Sequence, residues 1–359
     1  MRFLFLITIS FFVVFKFKGQ NDTLQQKKNK PFYFGFPIIY YTPETRFAFG
    51  ASGFTSFNFK NDTIGAPQSK ISFIGIYTQN KQVLFYVPFN LFFKNRTYQI
   101  NGEVGYYNFN YLFYGIGNSS NNNTERYFLK YPRVRIALLK KVYPKFFIGV
   151  KYLYDNISLY NLDTAGLLIK RDIVGSNGGV VSAGGLTSIY DSRDNIFFPS
   201  KGIYFESSII IGDKKIGSDF NYVKATIDVS KFINFKNNIF AFNFYSTYTS
   251  GLVPFYQMGV LGGANRMRGF YEGRYRDNQL LLFQTEYRRI LYKQIGIVLF
   301  ANAGQVASQW QLFNLTNTHY TYGAGLRIVL DKKQKINLRT DAAIGNAKIL
   351  PYFTLGEAF

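Results

Sequence analysis

The chain has 359 residues, no cysteine, one histidine, one tryptophan and a formal net charge of +22. Without cysteine there is no disulfide framework and no thiolate chemistry, and metal sites built on cysteine or on paired histidines are excluded. Beyond residue 15 no run of apolar residues reaches the length that a membrane-spanning helix needs.

Phenylalanine (40) and tyrosine (29) are used far above the ordinary level. Cleavage of residues 1–19 would remove three cations (Arg2, Lys16, Lys18) and no acid from +22, leaving +19. Such a charge fits attraction to lipopolysaccharide or another acidic partner. Heavy joint use of Phe, Tyr, Ile, Asn and Lys also fits an AT-biased genome, the plainer explanation of the charge. The basic residues are scattered over turns and single strand faces, so the pattern predicts no nucleic-acid partner.

Residues 1–19 place Arg2 before a short apolar run, Phe3 to Phe15. That run suits a secretory signal peptide; a retained N-terminal anchor is the alternative. No cysteine follows it, so lipoprotein processing is excluded. Residues 20–31 form a short polar, lysine-rich segment with no room for a domain.

From Phe32 onward the period is two. Sixteen strand-like segments fall at roughly 32–42, 45–58, 70–79, 82–93, 97–109, 126–139, 145–160, 179–191, 201–212, 219–232, 237–250, 278–290, 294–303, 320–330, 334–345 and 350–359. Their length is that of tilted membrane-crossing strands and exceeds the usual soluble strand. In 320–330, Tyr320, Tyr322, Ala324, Leu326 and Ile328 oppose Thr321, Gly323, Gly325 and Arg327. In 334–345, Ile336, Leu338 and Ile344 oppose Asn337, Arg339 and Asp341. In 219–232, Val223, Ala225, Ile227 and Val229 oppose Tyr222, Lys224, Thr226, Asp228 and Ser230. A polar face of small residues and some charges suits a wet lumen, and an apolar face ending in Phe and Tyr suits interfacial girdles. The predicted fold is all-β: a sixteen-stranded antiparallel transmembrane barrel over 32–359. Closure removes sheet edges and pairs every backbone group within lipid.

The connections alternate short (94–96, 140–143, 292–294) with long (110–125, 161–178, 251–277, 304–319), the pattern of periplasmic turns and outer loops. The sixth outer loop holds Leu261 to Asp277, where Arg266, Arg268, Arg274 and Arg276 lie among four glycines, several aromatics and two carboxylates. A charge facing hydrocarbon at mid-depth costs roughly 2–4 kcal/mol. So many fixed cations predict a segment folded into a polar enclosure, and a sixteen-stranded barrel is wide enough to hold it. Pro37 and Pro351 fall in the first and last segments, but Pro88 and Pro132 interrupt internal ones, so proline alone does not mark a weak seam.

Met267-Arg268-Gly269-Phe270, after Gly262-Gly263, resembles the sixth-loop V/I-R-G-F/Y motif of the BamA/TamA-like outer-membrane assembly and translocation barrels, also called the bacterial surface antigen family. Asp191-Ser192-Arg193-Asp194-Asn195, then Pro199 and Gly202, resembles that family's RDN-x-x-x-P periplasmic turn. Gln284 to Tyr287 resembles the strand after the loop, and Phe300 to Gly304 its F-x-D-x-G strand. Phe353, Gly356 and the terminal Phe359 are similar to its C-terminal insertion signal. The five elements keep the family's order over 32–359.

The resemblance implies a sixth loop tucked into the lumen, with Arg268 paired to acids on the inner wall. Glu286 matches one such acid; the position of the second holds Asn302, an amide. Either Glu286 serves alone, or Asp341 or another lumen acid helps. The best-known members carry periplasmic POTRA domains, which 20–31 cannot supply. The implied protein is therefore an outer-membrane barrel without them, assisting insertion or translocation of proteins through a seam between first and last strands. Its partners would be outer-membrane lipid and lipopolysaccharide, with unfolded outer-membrane protein clients or a separate POTRA-bearing periplasmic protein. The alternative is a passive channel or a barrel scaffold for such a partner. No cofactor is implied. An outer-membrane enzyme would rest on His319, which the polar stretch Asn317 to Tyr320 places in a solvated loop. Trp310 suits an interfacial anchor.

Overall fold

A computed structural model describes residues 31–359 apart from 60–61, 63–66, 120–123, 171, 293 and 332–334. The signal peptide predicted at 1–19, and all but the last residue of the polar segment 20–31, lie outside the described residues. Strands β1 (Phe32–Thr42), β2 (Arg46–Phe57), β3 (Ser69–Thr78), β4 (Val83–Phe93), β5 (Tyr98–Phe113), β6 (Glu125–Tyr143), β7 (Phe146–Tyr160), β8 (Gly179–Asp191) and β9 (Gly202–Gly212) build the first part. Then come β10 (Tyr222–Phe235), β11 (Asn238–Gly251), β12 (Gly259–Leu261), β13 (Tyr275–Asp277), β14 (Gln279–Tyr292), β15 (Ile295–Ala307), β16 (His319–Asp331), β17 (Ile336–Gly345) and β18 (Lys348–Leu355).

All but β12 and β13 close into one antiparallel barrel of sixteen strands, each beside its sequence neighbour, with β1 returning to β18. Strands β12 and β13 pair with each other, Val260 opposite Arg276, and form a small hairpin within the 251–277 loop, which a single bridge joins to Gly117. The period-two pattern drives this closure. Tyr320, Tyr322, Leu326 and Ile328 are exposed on the outer face, while Thr321, Arg327, Asn337, Arg339 and Asp341 are buried on the inner one. Each step along a strand reverses the side chain, so one wall serves two solvents.

Several boundaries differ from the sequence pattern. Strands β5 and β6 run on as a ladder to Phe113 opposite Glu125, beyond the predicted end at 109. There Phe113 and Tyr127 pack on Phe255 of the long loop, which gives the extension apolar cover. The turn predicted at 140–143 belongs to β6, and the chain reverses at 144–145. The last strand stops at Leu355, not 359. Gly356 takes φ +81° and its N–H bonds the Asn337 carbonyl at 2.8 Å, which turns the final residues away from the ladder. Long connections (114–124, 161–178, 252–278, 308–318) do share one end of the barrel, but so do the short turns 43–45 and 346–347. The opposite end carries 58–68 and 192–201.

Ion pairs are unevenly spread. Among the described residues, all of them involve residues from Arg133 onward, so none braces β1 to β5. The ladder is uneven as well. β1 aligns with β2 over Phe32 to Thr42, and β18 with β17 over Lys348 to Leu355. Between β1 and β18 one pair is aligned, Tyr41 opposite Phe353.

Candidate functional site

The 251–277 segment leaves β11 at Gly251 and returns through β13. Its turn is glycine-dependent: Gly269 has φ +108°, and a Cβ there would press on Thr321 and on the Ile344 carbonyl at about 3.0–3.1 Å. This conformation is natural for glycine and strained for other residues. The adjoining Arg268 is fully buried. Its Nη2 donates to Glu286 Oε1, and its Nη1 donates to Asp341 Oδ2 at 2.6 Å. Its guanidinium lies over the Phe300 ring at 3.6 Å. Three strands thus converge on one side chain.

The pairs continue outward. Glu286 also accepts from Arg288 Nε at 2.7 Å, and Asp341 from Arg327 Nη1 at 2.6 Å. Arg327 Nε is held by Glu357 at 2.8 and 3.1 Å, and Glu357 also accepts from Asn337. Arg339 donates to Thr354, to the Ala264 carbonyl and to Asn265 Oδ1, which ties the loop to β17 and β18. Taking such charges out of water is expensive unless each is paired and hydrogen-bonded. Here one carboxylate serves two guanidiniums, and the chain supplies the acids from three places far apart in sequence.

The loop backbone is held too. The Gly269 N–H donates to the Tyr352 hydroxyl at 3.0 Å, and that hydroxyl donates to the Phe270 carbonyl at 3.2 Å. The Met267 N–H donates to Gln284 Oε1 at 3.3 Å. Met267, Phe270 and Tyr275 pack with Leu261, Leu280, Leu282 and Val306. The other loop arginines take different partners. Arg266 pairs with Asp228 at 2.9 Å, Arg274 lies over Tyr114, and Arg276 donates to the Phe255 carbonyl and the Tyr127 hydroxyl.

Asn302 is buried on the same inner face but outside this set: its Nδ2 donates to Thr321 Oγ1 at 2.8 Å. Its Oδ1 has no partner among the described residues. The second acid on Arg268 is Asp341. His319 is not a solvated loop residue. It opens β16, half-buried, with its ring stacked on Tyr275 at 3.8 Å and Nε2 on the Asn118 carbonyl at 2.9 Å. Trp310 is partly exposed and stacks on Tyr248.

At the other end, the 192–201 turn is braced largely by its own side chains. Asp191 holds Arg193 through two bonds of 2.9 Å. Asp194 accepts from the Ser200 and Lys201 amides and from the Ser200 hydroxyl. Partial burial opposes its charge, yet these bonds keep its carboxyl below the usual range. Asn195 Oδ1 accepts from the amides of Phe197 and Phe198. Pro199 is buried, and Gly202, at φ +111°, lies where a Cβ would strike the Ser192 carbonyl. Phe198 reaches the inner network under Arg288. The terminal Phe359 does the same: its ring faces Arg288 and Phe232, and its carbonyl accepts from Arg288 Nη2 at 3.2 Å. Phe353 stands at the seam opposite Tyr41, and Gly356 makes the turn between these two aromatics.

Apolar outside, polar inside and closed without an edge, this molecule is an outer-membrane β-barrel. The chain belongs to the Omp85 superfamily, whose domain model matches residues 17–331. Among solved structures it is similar to BamA from Haemophilus ducreyi lacking POTRA domains 1–3, at 16% identity and a TM-score of 0.62, over 92% of this chain and 70% of that one. It is similar to CdiB from Escherichia coli at 11% identity and a TM-score of 0.63, over 93% of this chain and 63% of that one. For CdiB from Acinetobacter baumannii the figures are 10%, 0.57, 92% and 60%. At these identities the likeness is one of fold. Comparison with curated proteins finds no match.

Proposed function

We propose that this barrel assists insertion or translocation of proteins at the outer membrane, with the β1–β18 seam as the working edge. The observation that carries the reading is the seam: one aligned pair joins β1 to β18, where β1–β2 and β17–β18 are aligned along their lengths. A strand edge released there has free N–H and C=O groups, and a client strand could add to it by β-augmentation. In this account the 251–277 loop sits in the lumen as a brace. Arg268, Glu286 and Asp341 hold the brace to the wall that ends in β18. The 192–201 turn, with Asp191, Arg193, Asp194, Asn195, Pro199 and Gly202, locks the periplasmic rim. Residues 1–19 serve as the export signal, and 32–359 as the barrel.

Depletion of the protein, followed by quantification of other outer-membrane barrels, tests the role. Loss of those barrels supports it, and unchanged levels overturn it. A second reading is a passive channel or a scaffold for a separate POTRA-bearing periplasmic protein. It draws on the open space beside the loop, where cavities of about 550 and 270 Å³ lie against the inner wall. Large, steady conductance in planar bilayers would favour the channel, and co-purification with a POTRA-bearing protein the scaffold.

A further inference from the structure

The smaller of those two cavities, about 270 Å³, lies between the 251–277 loop and the wall formed by β5, β6, β7 and β10. It is on the far side of the loop from the Arg268 network and shares no residue with it. Arg133, Arg135, Lys224 and Arg276 line it, against Asp155 and Glu272. The acids do not match the cations. Asp155 is taken by Arg133 at 2.8 and 3.1 Å, with Arg135 a further 3.6 Å contact. Glu272 makes no ion pair within 4.0 Å among the described residues; Arg276 acts on it only at longer range, and burial with the nearby Glu44 still pushes its carboxyl up to about 7. Lys224 Nζ reaches only the Gln257 carbonyl, at 2.8 Å, and Arg276 only neutral oxygens.

Two buried donors on the cavity wall also lack acceptors among the described residues: Arg276 Nε and the Tyr256 hydroxyl. Arg276 is 3% exposed. A buried donor without a partner is costly, and a buried cation without a counter-charge more so. We infer that this chamber binds a small soluble oxyanion of the phosphate class, held between Lys224 and Arg276 with Tyr256 as a neutral donor. Guanidinium and ammonium groups are the natural partners of phosphate oxygens, the first by paired N–H bonds and the second as a point charge. The inference stands apart from the insertion role and survives its failure.

Pyrophosphate titrated by calorimetry into the full-length chain in a phosphate-free detergent tests it. One saturable site is expected at low ionic strength, weakened by salt. Lys224→Met should weaken binding about tenfold, and Tyr256→Phe about threefold. Lys215→Met, on the exposed 214–216 turn, should leave it unchanged. The heat-modifiable gel band confirms folding; if Lys224→Met does not fold, Tyr256→Phe decides alone. Unsaturable uptake, or wild-type affinity in the folded variants, overturns the site. So does binding that appears only with a micelle-borne phospholipid and not with pyrophosphate.

Discussion

Arg268 and Asp341 are 73 positions apart in the chain, and their side chains meet at 2.6 Å with neither exposed to solvent. The contact joins a loop to a strand that the ribosome delivers much later. With Glu286, it fixes where the loop rests against the wall.

Arg268→Ala is expected to remove roughly 3–5 kcal/mol of stability, because it strands two buried carboxylates. Arg288 and Arg327 remain on those acids and set the loss toward the lower end. Heat-modifiable mobility should shift to a lower melting temperature, and function should be lost. A variant with unchanged mobility and unchanged function would show that the loop is not braced through this residue.

Asp341→Asn and Asn302→Ala should differ sharply. Asp341 bonds Arg268 and Arg327 and lies 3.6 Å from Arg339, so losing its charge leaves several cations short. Asn302 gives up one bond to Thr321, worth about 1 kcal/mol. Thermal unfolding in detergent should place Asp341→Asn well below Asn302→Ala; the reverse order would move the second anchor back to position 302.

Glu272 makes the loop sensitive to pH. Its N–H donates to Glu44 Oε1 at 2.8 Å, and the Glu44 carboxyl is near enough to repel that of Glu272. Burial raises both carboxyls, Glu272 to about 7. A carboxyl raised in the folded state stays protonated there while the unfolded chain ionises. The folded loop therefore loses stability as pH climbs from the ordinary carboxylate range through 7. Exchange of the Glu272 amide should be slower at pH 6 than is explained by intrinsic rates relative to pH 8. Glu272→Gln should flatten that difference; a variant that keeps it would assign the effect to another group.

The seam can be locked covalently without background, since the chain has no cysteine. Tyr41→Cys with Phe353→Cys places two thiols at the aligned pair, within reach of a disulfide. Oxidation should stop client insertion and reduction restore it. Ala343→Cys with Leu350→Cys, aligned across β17 and β18, should leave activity intact when oxidised. Full activity with the seam locked would remove it from the mechanism.

The barrel was legible because alternation is a local property: two neighbouring side chains are enough to assign a face. Thr321, Arg327, Arg339 and Asp341 all take the inner side that the pattern predicts. The glycines around Arg268 likewise mark 262–274 as something other than strand, whereas the short hairpin of β12 and β13 at the ends of the segment, Leu261 opposite Tyr275, was not legible. The motif assigns Glu286 to Arg268, but whether a second acid joins it stays open in the sequence, because the depth at which the loop rests depends on contacts such as Tyr352 with Gly269, from the far end of the chain. For the same reason the stacking of His319 on Tyr275 could not be read from its polar neighbours. The inward turn at Gly356 was hidden because Phe353 to Phe359 also alternates well enough for a strand. Lys224 and Arg276 each stand out in the sequence, on a polar strand face and in the arginine-rich loop, but their meeting with Arg133 in one chamber does not, since the three come from separate stretches.

The uneven placement of ion pairs makes the two sides of the seam mechanically unlike. The flank ending in β18 is cross-tied through Arg268, Arg327, Arg339 and Asp341, and behaves as a jamb. The flank beginning with β1 has no ion pair among the described residues; its backbone ladder, aromatic contacts such as Tyr41 with Phe47 and the Glu272 N–H on Glu44 join it, and in the proposed reading it is the leaf. If the seam opens as proposed, force applied where they meet should bend the leaf first, which would place both the door and its hinge in the amino-terminal strands.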